Sequence, residues 1–274
     1  MKQSNVWTIT RKGIASLGSR WFYVCIYFLV IIMGLIFSVF YSFGSREEGL
    51  MEKAGVMDLV VFLNQTSGTT NHSMLTFLAI PLIVSIVHLL VQYQERSNVV
   101  LKIGSRFTLW QTHAVFAVIV SFVLTVCLLI VSYVLSGLIV GFDNTWITKD
   151  SILYELLGDK QLFSSVVPYV STGRVLTVVF VTKFLSFLLI FFLALFLKRF
   201  IKNIAIIFIV LIAMSGLDRT GMVPFEFFTF FASLSLEDWL HPVHIYYKCF
   251  YLFVLSLFLY GITGVVYEKK DFLQ

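Results

Sequence analysis

Six long apolar segments divide this 274-residue chain, and they constrain its fold more than any other feature. They cover residues 21–43, 74–91, 114–140, 175–197, 204–217 and 249–266. Because a helix rises about 1.5 Å per residue, about 20 apolar residues cross the roughly 30 Å hydrocarbon core of a bilayer. The pattern predicts an all-α polytopic membrane protein with six transmembrane helices in a single domain, residues 1–274. The fifth segment is too short to cross alone.

Composition excludes the common soluble classes. Hydrophobic residues make up 59% of the chain and charged residues 13%, whereas soluble domains have about 45–50% and about 25%. A cytosolic enzyme, a nucleic-acid-binding domain and a disordered chain are therefore excluded. Cys25, Cys127 and Cys249 lie in apolar stretches without a C-x-x-C pair, so the sequence indicates neither a disulfide framework nor a structural metal site.

The distribution of Lys and Arg predicts the orientation. One set of connecting segments holds 12 basic and three acidic residues, and the opposite set holds seven basic and 12 acidic residues. The basic side of a membrane protein faces the cytoplasm. Both termini are therefore predicted to be cytoplasmic.

The residues before the first span form one apolar helical face with Trp7, Ile14, Leu17 and Trp21, and basic residues lie opposite. This pattern favours an interfacial helix on the inner leaflet. A basic tail that only sets topology is the alternative.

Familiar catalytic motifs are absent from the sequence. It contains no G-x-x-x-x-G-K-[ST], H-E-x-x-H or G-x-S-x-G pattern. His241 and His244 have H-x-x-H spacing, but only Glu237 or Asp238 could add a nearby third ligand. We interpret them as interfacial histidines, and we predict no catalytic residue, metal or cofactor in this chain.

Lys183 is the clear ionisable residue inside a predicted span. A cation near the centre of a membrane helix costs about 2.5–3.5 kcal/mol, so its side chain should avoid lipid. It either snorkels towards the surface or lines a polar cavity.

Two connecting segments have unusual patterns. After Glu95 and Arg96, a short apolar stretch precedes Ser105, a plausible N-cap for the third span. This pattern favours a short cytoplasmic helix that docks into a partner protein. An ordinary loop is the alternative.

Residues 222–236, between the fifth and sixth spans, are again apolar, and Pro224 suits a helix start. They predict a re-entrant outer hairpin, or an amphipathic helix on the outer surface.

Together these features resemble the permease subunits of bacterial ABC exporters of the drug, peptide and polysaccharide type. Glu95-Arg96 followed by Gly104-Ser105-Arg106 is similar to the E-R…(P/G)-x-S-R loop of that family. The loop here is shorter and lacks the Gly-Thr that usually follows the acidic-basic pair.

The resemblance implies a permease in the bacterial cell membrane that pairs with a second permease, identical or different. ATP and Mg²⁺ would bind to a separate ATPase subunit. The cargo would be amphiphilic, with a peptide such as a bacteriocin or toxin peptide as the best candidate and small drugs or lipid-linked glycans as the alternatives. It also implies functional residues: coupling to the ATPase by Glu95, Arg96, Val99, Ile103 and Arg106, and an outer gate with Pro224, Phe225 and Phe228.

Two other functions stay open. The first is an ion-coupled carrier or a structural membrane subunit, which would work without an ATPase. Carriers commonly contain internal sequence repeats, and this sequence has no convincing repeat. An intramembrane enzyme would need paired catalytic residues. Its only candidates, Lys183 and His88, are predicted to lie towards opposite leaflets.

Overall fold

A computed structural model describes residues 54–61, 74–94, 105–149, 151–220 and 227–269, with ten separate residues between 7 and 36. All regular elements in these stretches are helical, which confirms the all-α class. The predicted N-terminal helix and the first predicted span, residues 21–43, lie mostly outside the described part of the chain.

The helices are α1 (Val56–Val61), α2 (Ile80–Gln94, after a π-helical turn at Leu75–Ala79), α3 (Arg106–Val140), α4 (Ile152–Leu157), α5 (Lys160–Val166), α6 (Thr172–Phe200), α7 (Ile204–Thr220), α8 (Thr229–Ala232), α9 (Leu236–Leu240) and α10 (Pro242–Lys269).

Within the described ranges, four helical stretches are long and apolar enough to cross a membrane. They are Leu75–Gln92, Arg106–Val140, Thr172–Phe200 and Pro242–Lys269, and they match the second, third, fourth and sixth predicted spans. Helix α7 is apolar but shorter, as the sequence indicated for the fifth segment. These lengths and compositions identify a membrane protein.

Two helices begin well before the apolar segments predicted as spans. Helix α3 begins at Arg106, eight residues before residue 114, and Ser105 caps it, as the sequence predicted, by accepting a hydrogen bond from the Thr108 backbone N–H. Helix α10 begins at Pro242 and not at residue 249. Proline is favourable in the first turn of a helix, and the intervening Lys248 is buried by its neighbours and does not end the helix.

Helix α6 lies at the centre of the bundle, in contact with α2, α3, α7 and α10. The buried face of α3 carries small hydroxyl residues, including Ser121, Thr125 and Ser132. Such residues let membrane helices approach closely. The opposite faces of α3 and α10 expose large apolar side chains such as Phe122 and Phe258, as contact with lipid requires.

A polar and aromatic cluster joins the end of α10 to the start of α3. The Arg106 guanidinium donates a hydrogen bond to the Glu268 carbonyl at 3.0 Å. One turn further on, the buried Tyr267 ring packs on Trp110, and its hydroxyl lies 2.7 Å from Nδ1 of His113. The ends of these two helices are therefore held together as one unit.

At the other ends of the helices, Asp58 fixes α1 to the loop after α3. Its buried carboxylate accepts hydrogen bonds from the Gly55 backbone N–H, the Trp146 indole and the Thr145 hydroxyl at 2.9, 2.7 and 3.2 Å. Burial raises the pKa of Asp58 to about 6, although these three donors favour the charged form.

Candidate functional site

The segment between α7 and α10 holds the most unusual chemistry in the described part of the chain. It consists of two helices of about one turn, α8 and α9, and it packs among α6, α7 and α10. We call residues 227–240 the clamped segment. Three charged side chains of the surrounding helices hold it, Asp218, Lys183 and Lys248, and Lys248 also pairs with Asp238 of the segment itself. We call these four residues the charged clamp.

Asp218, near the end of α7, satisfies the start of α8. Its carboxylate accepts hydrogen bonds from the backbone N–H groups of Phe227, Phe228 and Thr229 at 2.5, 2.9 and 2.6 Å. The Thr229 hydroxyl also donates to it at 2.6 Å. The first N–H groups of a helix have no partner within the helix and carry partial positive charge, so an anion stabilises them.

Two lysines satisfy the other end of α8 from two different spanning helices. Lys183 of α6 donates a hydrogen bond to the Ala232 carbonyl at 2.6 Å. Lys248 of α10 donates to the next carbonyl, that of Ser233, at 3.0 Å. Cations are favourable at the carboxyl end of a helix, so the signs of the charged groups match the helix polarity at both ends.

Asp238 completes the clamp through a buried ion pair. One of its carboxylate oxygens lies 2.8 Å from the Lys248 ammonium, and the two side chains are 3% and 5% exposed. The same oxygen accepts hydrogen bonds from the backbone N–H and the hydroxyl of Ser235, which caps α9. One lysine thus ties α10 to both short helices.

Aromatic contacts support the same segment. The rings of Phe231 and Tyr251 are stacked with their centroids 3.9 Å apart, and the Tyr251 hydroxyl donates to the Phe227 carbonyl at 2.9 Å. The Lys248 ammonium lies 4.5 Å from the centroid of the Phe230 ring. Trp239 packs edge-on against Trp146 of the loop after α3. The segment therefore contacts both the helix bundle and the loop after α3.

Helix geometry gives the distance of the clamped segment from the starts of α6 and α10. Lys183 lies 11 residues after the start of α6, and Tyr251 lies nine residues after the start of α10. At about 1.5 Å per residue, these positions are about 17 and 14 Å along the helices. Since the hydrocarbon core is about 30 Å thick, α8 lies roughly half a core thickness from the helix starts.

The residues predicted from sequence are only partly brought together here. Lys183 is 1% exposed and lies inside the protein, and Phe228 is buried beside the clamp. Arg106 lies far from both, at the junction of α3 with the end of α10. The other predicted coupling and gate residues lie outside the described residues: Glu95, Arg96, Val99, Ile103, Pro224 and Phe225.

Sequence reasoning did not identify Asp218 or Lys248 as site residues, because both lie directly beside predicted span ends, where charges are expected. It considered Asp238 only as a possible metal ligand beside the histidine pair. A signal for Lys248 was available. Ile245 and Leu252 are three residues before it and four residues after it, and all three share one buried face of α10.

The histidine pair lies apart from the clamp. His241 and His244 are exposed, with ring centroids 5.4 Å apart. Within the described ranges, no three His, Cys, Asp or Glu residues form a group that could hold a metal ion.

Comparisons of this chain with protein-family models, curated proteins and solved structures found no match. The function of the chain is therefore inferred from the geometry of the clamp and from the sequence pattern.

Proposed function

We propose that this chain is the permease subunit of an ATP-driven exporter and that the clamped segment is its outer gate. The cargo would be an amphiphile, with a peptide as the best candidate. A separate ATPase subunit would supply the energy, and a second permease would complete the transport path. The observation that carries the proposal is a short, irregular segment held inside an apolar helix bundle by charged contacts.

The clamp chemistry supports movement better than a purely structural role. Irregular backbone at membrane depth is stable only where protein or a water-filled cavity satisfies its polar groups. Buried ion pairs contribute little net stability compared with apolar packing, and their best-attested use is to specify one conformation among alternatives. A segment with its charged partners on three different helices is released when those helices move apart.

Helix α10 offers a direct mechanical link between the two membrane faces. Tyr267, near its end, contacts the start of α3, which directly follows the predicted coupling loop. Lys248, 19 residues earlier, holds the clamped segment. Between these two residues α10 is about 28 Å long. A displacement of the coupling loop and of the start of α3 therefore reaches the clamp through α10 alone.

The proposal is tested by purifying the chain from its native membranes and measuring ATP hydrolysis by the complex. We expect an ATPase subunit to co-purify and Glu95→Ala/Arg96→Ala to reduce cargo-stimulated hydrolysis at least tenfold, because the coupling contacts are lost. The matched control is Asp143→Ala/Lys149→Ala, which removes one acid and one base from the exposed loop after α3.

Unchanged cargo-stimulated hydrolysis in the Glu95→Ala/Arg96→Ala variant would contradict the coupling assignment. Transport driven by a proton gradient without an ATPase would favour the ion-coupled carrier. Chemical turnover of a lipid or peptide by the chain alone, without nucleotide, would favour the intramembrane enzyme.

A further inference from the structure

Among the described residues, Lys248 has a carboxylate partner and Lys183 does not. Lys248 forms an ion pair with Asp238 and also donates to a carbonyl. Lys183 donates to the Ala232 carbonyl alone and has no carboxylate within ion-pair distance among the described residues. An ammonium group has three N–H donors, so its hydrogen-bonding capacity is only partly used.

The carboxylates of the clamp are already engaged elsewhere. Asp218 accepts several hydrogen bonds from the start of α8, and Asp238 is paired with Lys248. The two lysines and two carboxylates of the clamp balance in number, but Lys183 itself lies in the interior of a long apolar helix without a paired carboxylate among the described residues. A charge in that position is costly, and a neutral side chain would fill the same space at lower cost.

We propose that Lys183 recognises an anionic group on the cargo and that the Ala232 carbonyl takes the place of that group while the clamped segment is closed. This inference rests on the proposed gate function of the segment. When the segment moves, Lys183 loses its partner, and a buried cation without a partner is strongly unfavourable. A carboxylate or phosphate on an amphiphile then forms the stronger, charge-assisted hydrogen bond.

The proposal is tested by calorimetric titration of the full chain in nanodiscs of zwitterionic phosphatidylcholine, with Asp218→Ala in every sample because it frees the start of α8 and favours the open segment without an ATPase. In these titrations the unmodified chain is the one that retains Lys183. Decyl phosphate is the anionic probe, and decyltrimethylammonium is the matched cationic probe. We expect saturable binding of decyl phosphate and at least tenfold weaker binding of the cation. Lys183→Arg retains the charge and should bind decyl phosphate within about threefold of the unmodified chain.

Lys183→Gln separates anion recognition from a structural role. Its side-chain amide can still donate a hydrogen bond to the Ala232 carbonyl, but it has no charge. Anion recognition predicts at least tenfold weaker binding of decyl phosphate with a similar melting temperature. Equal binding by Lys183→Gln and the unmodified chain, or equal binding of both probes, would overturn the proposal, as would no binding of decyl phosphate to the unmodified chain.

A second titration distinguishes the source of the anionic group. Nanodiscs that contain phosphatidylglycerol should leave decyl phosphate binding unchanged if the site serves cargo. If phosphatidylglycerol weakens decyl phosphate binding to the unmodified chain but not to Lys183→Gln, the lipid headgroup occupies the site. That result would overturn the assignment of the site to cargo. Neither titration needs an ATPase, so failure of the exporter proposal and failure of anion recognition can be told apart.

Discussion

Asp218→Ala is expected to lower the free energy of unfolding by about 3 kcal/mol. The substitution removes the acceptor of four backbone N–H groups and one hydroxyl at the start of α8. Hydrogen bonds to a charged group contribute about 1.5–3 kcal/mol, and each buried donor left without a partner adds a further cost. Unfolding in mixed detergent micelles, followed by circular dichroism, measures the change.

Two variants serve as controls for this experiment. Asp218→Asn retains one acceptor oxygen and should lose roughly half as much. Asp143→Ala removes an exposed carboxylate from the loop after α3 and should change stability by less than about 0.5 kcal/mol. If Asp218→Ala is as stable as Asp143→Ala, the carboxylate does not hold the clamped segment.

Lys248→Met is expected to destabilise the protein by about 3–5 kcal/mol, because it leaves Asp238 buried without a cation. Methionine has a similar length and packs well in an apolar environment. Asp238→Asn added to this variant removes the uncompensated charge while the amide oxygen can still accept from Ser235. The double variant should therefore regain at least about 1 kcal/mol relative to Lys248→Met.

The same mixed-micelle unfolding gives all four corners of this double-mutant cycle. A coupling energy within about 0.5 kcal/mol of zero would mean that the two groups act independently. That result would contradict the ion pair as the contact that joins α10 to α9.

The sequence predicts the class of this fold well, because an apolar segment of about 20 residues is typical of a membrane-spanning helix. It predicts the ends of the helices less well. The sixth apolar segment begins just after Lys248, whereas α10 begins at Pro242 and includes this lysine, whose charge is neutralised by Asp238, ten residues away in sequence. Such a pairing depends on the packing of α9 against α10, and that packing is absent from local sequence patterns.

The sequence pointed to the candidate site through Lys183 and through the apolar residues 222–236, which include Phe228. Lys183 interrupts a continuous apolar run, so its cost in a membrane identifies it directly. Its partner is a backbone carbonyl, which has no residue-type signature, and the acceptor lies 49 residues away. Asp218 also bonds to backbone groups, so composition and spacing could not show that these side chains act together. The coupling role of Glu95 and Arg96 stays a prediction from the loop pattern.

The central claim is that ATP hydrolysis inside the cell moves the clamped segment on the outer side, and thiol access at Ala232→Cys tests it most directly. Ala232 is fully buried, and the substitution preserves the carbonyl that Lys183 holds. The measurement uses right-side-out vesicles, a membrane-impermeant maleimide and a chain whose three native cysteines are replaced by serine. We predict that ATP inside the vesicles raises the labelling rate at least tenfold and that Glu95→Ala/Arg96→Ala abolishes the increase. An identical labelling rate with and without ATP would contradict the account.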